Sequence, residues 1–296
     1  MVHDEKYQAG VKMAQMIEKE IKSFVLNSPL NRMPDDKDQP IFDEPLVKFA
    51  DGNDKLFEQY KSIISPTHLT PREALIAIFH KNPDYIGKSI SVISWILPIT
   101  LKTRESNREQ KTIPSKLWAN TRFYGEKFND ALRDYVANNL KVRGYIAAAP
   151  AKLPPSRTPA KDKIPYSDWS ERHIAYVAGH GTFSLSDGFI TEKGIAHRCG
   201  SVVTDLELPA SDRTAASPYS NCLYYVNKSC KACITRCPGN AITENGHDKV
   251  KCLDYTHTFD QLRKDWQMAS IGCGLCQTKV PCESKNPIKK QDNQAT

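Results

Sequence analysis

The sequence predicts an α+β fold in two parts, a sheet domain over residues 1–212 and a small cysteine-rich domain over residues 213–296. Three observations predict it. Helical stripes and short β-branched runs alternate through the first two thirds of the chain with no βαβ repeat. All nine cysteines lie between Cys199 and Cys282, so the first 198 residues contain none. Finally, Pro150, Pro154, Pro155, Pro159 and Pro165 break the chain just after its longest helical pattern, which requires an extended, largely unpaired connection.

The elements follow in order. Residues 7–27 place Val11, Ala14, Ile17, Ile21 and Phe24 at helical spacing, and Ser28-Pro29 stops the run. A second helix is predicted over 54–64, with Leu56, Phe57, Tyr60 and Ile64 inward. A third follows to about His80. There Thr70 can cap the first amides, Pro71 suits the first helical position, and Glu73 can return a bond to the cap residue. Residues 89–100 (SISVISWILPIT) read as a buried strand. Over 115–143, Phe128, Leu132, Val136 and Leu140 recur every fourth residue, and Gly144 stops that helix before a short apolar strand at 145–149. Residues 169–179 read as helix and 200–208 (GSVVTDLEL) as a strand leading into the cysteine region.

Composition narrows the function. The chain has 296 residues, 40% of them apolar, and no run long enough for a membrane helix; the best candidate, 90–99, is broken by Trp95 and Pro98. The opening Met1, Val2, His3, Asp4, Glu5, Lys6 lacks the order of a secretion signal, so a cytoplasmic location is expected. The formal net charge is +7, which fits an acidic partner such as RNA or an acidic redox protein. Lysines and arginines are scattered among acids from Lys6 to Lys290, as in a solvated mixed surface rather than a nucleic-acid footprint.

Clustered cysteines in a long chain without a secretion signal point to metal, not disulfides. The first set is Cys222-x7-Cys230-x2-Cys233-x3-Cys237-Pro238, and its second half matches the bacterial ferredoxin run. There, closely spaced thiolates grip one cluster while the cysteine before proline reaches the other. The second set, Cys252 and Cys273-x2-Cys276-x5-Cys282, supplies the complement. A cubane takes four soft anionic ligands, so eight thiolates fill two 4Fe–4S clusters without remainder. The expected sets are Cys222, Cys230, Cys233 and Cys282 for one cluster, and Cys237, Cys252, Cys273 and Cys276 for the other. The seven-residue first gap, where ferredoxins have two residues, leaves the individual pairing open. Structural zinc also uses C-x2-C pairs, but without the cysteine–proline and the lone intermediate Cys252. The ninth cysteine, Cys199, has His197 and Arg198 beside it, as an activated thiol would; the alternative is a buried core residue.

One further pattern is a resemblance. Residues 170–181 (SERHIAYVAGHG), then 200–209 (GSVVTDLELP), then the two cysteine sets resemble, in that order, the epoxyqueuosine reductases and their relatives, the corrinoid reductive dehalogenases. CGLCQTKVPCE and the long first gap resemble a shorter branch of that superfamily. The resemblance implies a nitroreductase-like cobalamin domain followed by a bacterial two-4Fe–4S ferredoxin-like domain. It also implies clusters that pass single electrons to cobalt. By carry-over, Gly179, His180, Gly181, Thr182, Gly200 and Ser201 would line the corrinoid pocket, the glycines letting backbone approach a flat macrocycle.

Three departures qualify it. The aspartate proton donor of epoxyqueuosine reductases falls here on Pro165, which leaves Asp168 and Tyr166 as candidate donors, Asp168 being equally placed to cap a helix. The helical repeats that follow the clusters in many of those enzymes are absent, which weakens a tRNA substrate. His180 replaces a leucine, so that it is a candidate cobalt ligand or proton donor, against the plainer reading of a polar contact. His173 and His197 receive the plainer reading, and Glu171 with Arg172 is expected to form an ion pair. The expected function is an iron–sulfur oxidoreductase in which a ferredoxin or flavodoxin type of donor reduces the clusters. These in turn reduce a corrinoid, or serve a small-molecule or corrinoid-protein acceptor with no cobalamin held by the chain itself; a tRNA modification like that of the epoxyqueuosine reductases is the further alternative.

Overall fold

The computed structural model describes residues 2–79, 86–154 and 167–288. The chain opens with helix α1 (Val2–Asn27), which begins earlier than its apolar stripe predicts. Ala14, Ile17, Ile21 and Val25 are its buried face. Strand β1 (Leu46–Asp51), helix α2 (Leu56–Ile63) and helix α3 (Pro71–Phe79) follow. The predicted start of α3 is present as a reciprocal cap: the Thr70 amide donates to the Glu73 carboxylate at 2.9 Å and the Glu73 amide to the Thr70 hydroxyl at 3.3 Å. The expected end of this helix at His80 lies outside the described residues.

Strand β2 (Ser91–Pro98) is buried along its whole length. Next come the unpredicted helix α4 (Leu101–Arg108) and the long helix α5 (Lys116–Val142). On α5 the residues Phe128, Leu132, Val136 and Leu140 are all buried. Gly144 takes φ +89°, the left-handed conformation that ends helices, and the Tyr145 amide returns to the Leu140 carbonyl at 3.1 Å. The predicted strand at 145–149 shrinks to β3 (Ala147–Ala148). Much of the proline-rich connection, with Tyr166 in it, lies outside the described residues.

Helix α6 (Glu171–Val177), strands β4 (Gly181–Phe183) and β5 (Phe189–Thr191), and strand β6 (His197–Thr204) come next. The last corrects the expectation of a strand over 200–208. It starts three residues earlier and stops at Thr204, whose hydroxyl accepts the Leu206 amide at 3.2 Å, while Asp205 turns to accept the Ile146 amide at 2.8 Å. The cysteine region holds short helices α7 (Leu223–Asn227) and α8 (Ala232–Thr235), a two-residue hairpin of β7 (Ile242–Thr243) and β8 (Gly246–His247), and helices α9 (Lys249–His257) and α10 (Asp260–Asp265). Helix α7 occupies the long gap between Cys222 and Cys230, closed by Lys228 at φ +60°.

The chain forms two compact units, each assembled from separated stretches. The first comprises Met1–Thr100, Asn120–His180 and Arg198–Thr214. Its four-stranded sheet has the order β1-β2-β6-β3. β1 and β2 are antiparallel with Leu46 opposite Ile96, and β3 and β6 are antiparallel with Ala147 opposite Thr204. One sheet face carries Ala50, Val92, Ala148 and Val203, packed with Phe57, Leu75, Trp169, Ile174 and Val177 of α2, α3 and the α6 region. The other face meets α5, where the Trp95 indole donates to the Asn129 carboxamide at 2.9 Å. α1 packs on α5 through Phe24, whose ring lies 5.9 Å from Phe128 and 4.4 Å from Tyr135. Helices cover both faces of the sheet, and the mixed α+β class is as predicted.

The second unit adds to Ala215–Thr296 two earlier stretches, Leu101–Ala119 and Gly181–His197. Its core consists of Leu185, Ile190, Ile195, Cys222, Tyr224, Ile242 and Val280, with Cys233, Cys237, Cys276 and Cys282 packed against them. No helix among the described residues is long and apolar enough to cross a membrane.

Candidate functional site

The cysteine sites are built from loops that cannot pack without one another. The stretch 181–197 is stitched to the last cysteine by backbone bonds, Ile195 amide to Cys282 carbonyl at 2.8 Å and Ala196 amide to Glu283 carbonyl at 3.1 Å. Gly194 at φ +82° lets them approach, since a β-carbon there would stand 2.4 Å from the Glu283 carbonyl oxygen. The buried Glu283 carboxylate accepts from Arg108 at 2.6 Å, Arg104 at 3.3 Å and the Lys279 amide at 2.7 Å. Burial pushes this carboxyl up, but the Arg108 bond and the Lys279 amide outweigh it and hold it below its usual range. Helix α4 is thereby fixed beside Cys282.

The loop between Cys273 and Cys276 is shaped by Gly274, at φ +61° and pressed against the Trp118 indole so closely that a β-carbon would fall 2.0 Å from its Nε1. Only glycine meets both conditions. Behind the same loop, the Arg236 guanidinium donates to the carbonyls of Leu275 at 3.3 Å, Thr278 at 3.1 Å, Gln110 at 2.8 Å and Asn107 at 3.2 Å. Trp118, Arg236 and Glu283 are the supporting residues that sequence reasoning missed. The available signal was position alone: Arg236 precedes Cys237, and Glu283 follows Cys282.

Cys222, Cys230, Cys233 and Cys282 line one partly open pocket, whose other walls include Leu185, Ile190, Leu223 and Val280. The remaining four form a second group. Burial is the main reason the Cys273 thiol is pushed up to about 11, and the nearby Cys252 and Cys237 push it further. Cys276 is raised well above its ordinary value by burial and then by Cys273, Cys252 and Cys237. In the first group burial raises Cys233 to about 11, with Cys222 and Cys230 as the next causes, and Cys282 to about 12, with Cys233, Cys222 and Cys230 next. Thiols so placed resist ionisation on their own, since each new thiolate repels the others in an apolar surround. A cationic iron centre reverses that balance, because it draws the protons off and satisfies four anions at once. The donor chemistry of both groups fits a thiolate-ligated cluster. Among the described residues no three His, Cys, Asp or Glu side chains are arranged to hold a single metal ion. Beside the second group, the His247 imidazole lies 3.3 Å from the Asp187 carboxylate. It is raised to about 9 by its bond to Asp187 and then by Cys252.

The sequence-predicted residues of the sheet unit are placed differently. A β-carbon on Gly200 would lie 2.4 Å from the Trp95 indole nitrogen, and one on Gly179, at φ +78°, 2.3 Å from the Asp212 carbonyl oxygen. These glycines make room for the protein's own groups. Ser201, fully buried, donates to Glu171 at 2.6 Å and accepts from the Trp169 indole at 3.0 Å. The buried His180 ring meets the Ser94 carbonyl at 3.1 Å, the polar contact of the plainer reading. In the second unit Gly181 and Thr182 belong to β4, paired with Thr191 and Ile190 of β5. A β-carbon on Gly181 would strike the Ile190 carbonyl at 2.0 Å, and the Thr182 hydroxyl accepts the Asn221 amide at 2.8 Å. All six positions make contacts within the chain itself.

Asp168 neither caps α6 nor stands free: it accepts the Thr67 hydroxyl at 2.5 Å, and its carbonyl accepts the Leu69 amide at 2.9 Å. Ser170 holds the N-cap position. His173 bonds the Ser170 hydroxyl at 2.8 Å and His197 the Phe189 carbonyl at 2.7 Å. The ion pair expected for Glu171 with Arg172 is corrected: the Glu171 carboxylate pairs with Arg133 of α5 at 3.0 Å, because α6 turns it inward to 16% exposure. Burial raises Glu171 above the usual carboxylate range in spite of Arg133. Cys199 is half-buried, and burial is the main cause that pushes its thiol up to about 12, the opposite of an activated thiol.

No family model and no curated protein matches the sequence. Solved structures do. An epoxyqueuosine reductase from Bacillus subtilis is 16% identical, with a TM-score of 0.51 over 94% of this chain and 67% of its own. A selenomethionine-labelled epoxyqueuosine reductase is 15% identical, with a TM-score of 0.47 over 94% of this chain and 67% of its own. An epoxyqueuosine reductase with an epoxyqueuosine-modified tRNA-Tyr stem loop is 16% identical, with a TM-score of 0.48 over 93% and 68%. The first of these shows that the chain has the fold of an epoxyqueuosine reductase.

Proposed function

We propose that the chain is an iron–sulfur oxidoreductase carrying two 4Fe–4S clusters, one held by Cys222, Cys230, Cys233 and Cys282 and the other by Cys237, Cys252, Cys273 and Cys276. The observation that supports this most is the pocket whose walls bring three cysteines of one loop together with Cys282 from the far end of the region. Such clusters, when bound, take up and release single electrons at potentials of about −700 to +450 mV, set by hydrogen bonds, charge and exposure. The chain's own part is to present the thiolates, to keep water away with Leu185, Ile190 and Val280, and to fix both loops through Glu283, Trp118 and Arg236. Buried surroundings also raise the cost of ionising the thiols before iron arrives, which ties metal uptake to ordering of the unit.

The acceptor in this proposal lies outside the chain. A resident corrinoid is the finer alternative, but its six expected contacts are engaged within the protein, and no step is derived through that group. The chain is then an electron-transfer or reductive-activation protein, receiving electrons from a ferredoxin or flavodoxin type of donor and passing them to a small molecule or a corrinoid protein. Anaerobic purification with metal analysis tests the reading. About eight irons per chain, as two cubanes require, with a brown colour bleached by dithionite, is the expected result, and colourless zinc-loaded protein would sink it. Hydroxocobalamin passed with the protein through a desalting column should separate from it; co-elution of cobalt would restore the corrinoid alternative.

A further inference from the structure

We propose that Arg236 is the built-in counter-charge of the second cysteine site, making the cluster held by Cys237, Cys252, Cys273 and Cys276 the more readily reduced of the two. The inference rests on the two-cluster reading above. Its starting point is the company Arg236 keeps. The half-buried guanidinium spreads over four carbonyl oxygens, those of Leu275, Thr278, Gln110 and Asn107, and reaches the Thr278 hydroxyl at 3.4 Å. Every one of these acceptors is neutral. A cation drawn out of water and matched only to dipoles is costly unless an anion stands nearby. The natural anion is the cluster itself, for Arg236 precedes Cys237 in the chain and bonds Leu275, between Cys273 and Cys276.

Among the described residues the first site has no equivalent. Arg108 bonds Glu283 at 2.6 Å and approaches Glu105 at 3.8 Å, and Arg104 shares Glu283 at 3.3 Å, so that those charges cancel. Lys231 is exposed and bound to Glu244. Lys228, also exposed, lies over the Tyr224 ring at 4.1 Å, where solvent screens it. Near Cys252 the His247 imidazole shares the Asp187 carboxylate with Lys249, which is exposed and screened by solvent. Arg236 is therefore the charge that sets the sites apart. Reduction adds one electron to a cluster that is already anionic, with no bond made or broken and no proton moved, and a fixed cation in poorly screened surroundings favours the added charge. Because guanidinium does not lose its proton in proteins, the bias is permanent.

The test is an anaerobic redox titration of the full iron-loaded chain with dithionite as the one-electron reductant, followed by electron paramagnetic resonance. Two one-electron steps are expected, with Cys252→Ser disturbing the upper and Cys230→Ser the lower; the opposite assignment overturns the proposal. Arg236→Gln should lower the upper step by tenfold or more in the ratio of reduced to oxidised cluster, about 59 mV for one electron, and move the lower step less. Arg236→Lys keeps the charge and should keep most of the potential. An unmoved upper step in a fully loaded Arg236→Gln protein, or a Lys variant displaced as far as the Gln variant, overturns it. Should Arg236→Gln fail to retain iron, the serine variants and Arg236→Lys still decide. A wild-type chain without iron refutes the proposed function; full iron with reversed steps refutes only the role of Arg236.

Discussion

Within the sheet unit a buried network of charged side chains sets opposite signs against one another, whereas the thiols of the cysteine unit are crowded against their own kind. Arg133, only 3% exposed, sits among Glu126 at 2.9 Å, Asp130 at 2.7 Å and Glu171 at 3.0 Å. Glu126 is also gripped by Arg198; burial opposes its ionisation, yet Arg198 and Arg133 prevail and hold it near about 2. Every charge there is answered from within. Cys282, by contrast, has Cys233, Cys222 and Cys230 as its electrostatic neighbours, all of the same sign once ionised. A cluster of groups that the chain leaves mutually repulsive marks a place prepared for something added later, while a satisfied network marks a place that finishes the fold.

The largest expected effect separates the ninth cysteine from the other eight. Cys276→Ser should remove about half of the iron of two cubanes and weaken the order of the second unit. Cys199→Ser, in the sheet unit, should leave the iron content unchanged. Iron analysis beside the visible spectrum decides, and equal losses from both variants would erase the distinction between the two regions. Next in size is Arg133→Met. It strands Glu171 as a buried carboxylate, while Glu126 keeps Arg198; losing one partner of a buried pair costs about 3–5 kcal/mol, read as a fall in the urea midpoint. Adding Glu171→Gln should restore part of that loss, since the two changes touch one network. A loss below about 1 kcal/mol, the range of exposed pairs, would show that the network is a surface one.

Gly200→Ala asks whether the motif glycine faces protein or ligand. The new methyl group meets the Trp95 indole and the Asn129 carboxamide at 2.4–2.6 Å, in a strand that cannot retreat. Overpacking of this kind costs about 1–3 kcal/mol. Unaltered stability in the variant would mean that the space is open, and would return Gly200 to the list of ligand contacts.

Much of this was legible beforehand because apolar periodicity and capping chemistry are local. The stripe of α5 and the reciprocal Thr70–Glu73 cap needed no tertiary information. Helix α4 was invisible for the opposite reason. Its sequence, LKTRESNR, carries no stripe, and its buried members are Thr103 and Asn107. It is held by polar bonds, such as that of the Asn107 carboxamide to the Thr278 hydroxyl at 3.1 Å, from residues far along the chain. Strands β4 and β5, of three residues each, are too short to show alternation. The eight cysteines were visible as a set because thiolate spacing is itself a local pattern. Gly179, Gly200 and Ser201 were equally conspicuous, but a glycine that admits a ligand and one that admits an indole look alike in a sequence.

The smallest effect concerns His68, which tests whether the sheet unit's polar order extends to protons. Its ring is fully buried beside Trp169, 6.1 Å away, and Nε2 accepts the Ser170 amide at 3.1 Å. Burial is the main reason its pKa falls to about 4 from 6.5. The folded ring is therefore neutral at pH 5.5 while the unfolded one is largely protonated. With the folded value depressed, its contribution is complete above about 6.5 and drains away as pH falls toward 4. Between pH 7.5 and 5.5 the wild-type chain should lose about 1.4 kcal/mol on this account, one unit of proton linkage. His68→Gln lacks the titration and should show a correspondingly smaller fall in its urea midpoint over that interval. Parallel pH profiles for the two proteins would mean that the imidazole is hydrated in the folded state, and that the contrast between a finished sheet unit and an unfinished cysteine unit holds for charges but not for protons.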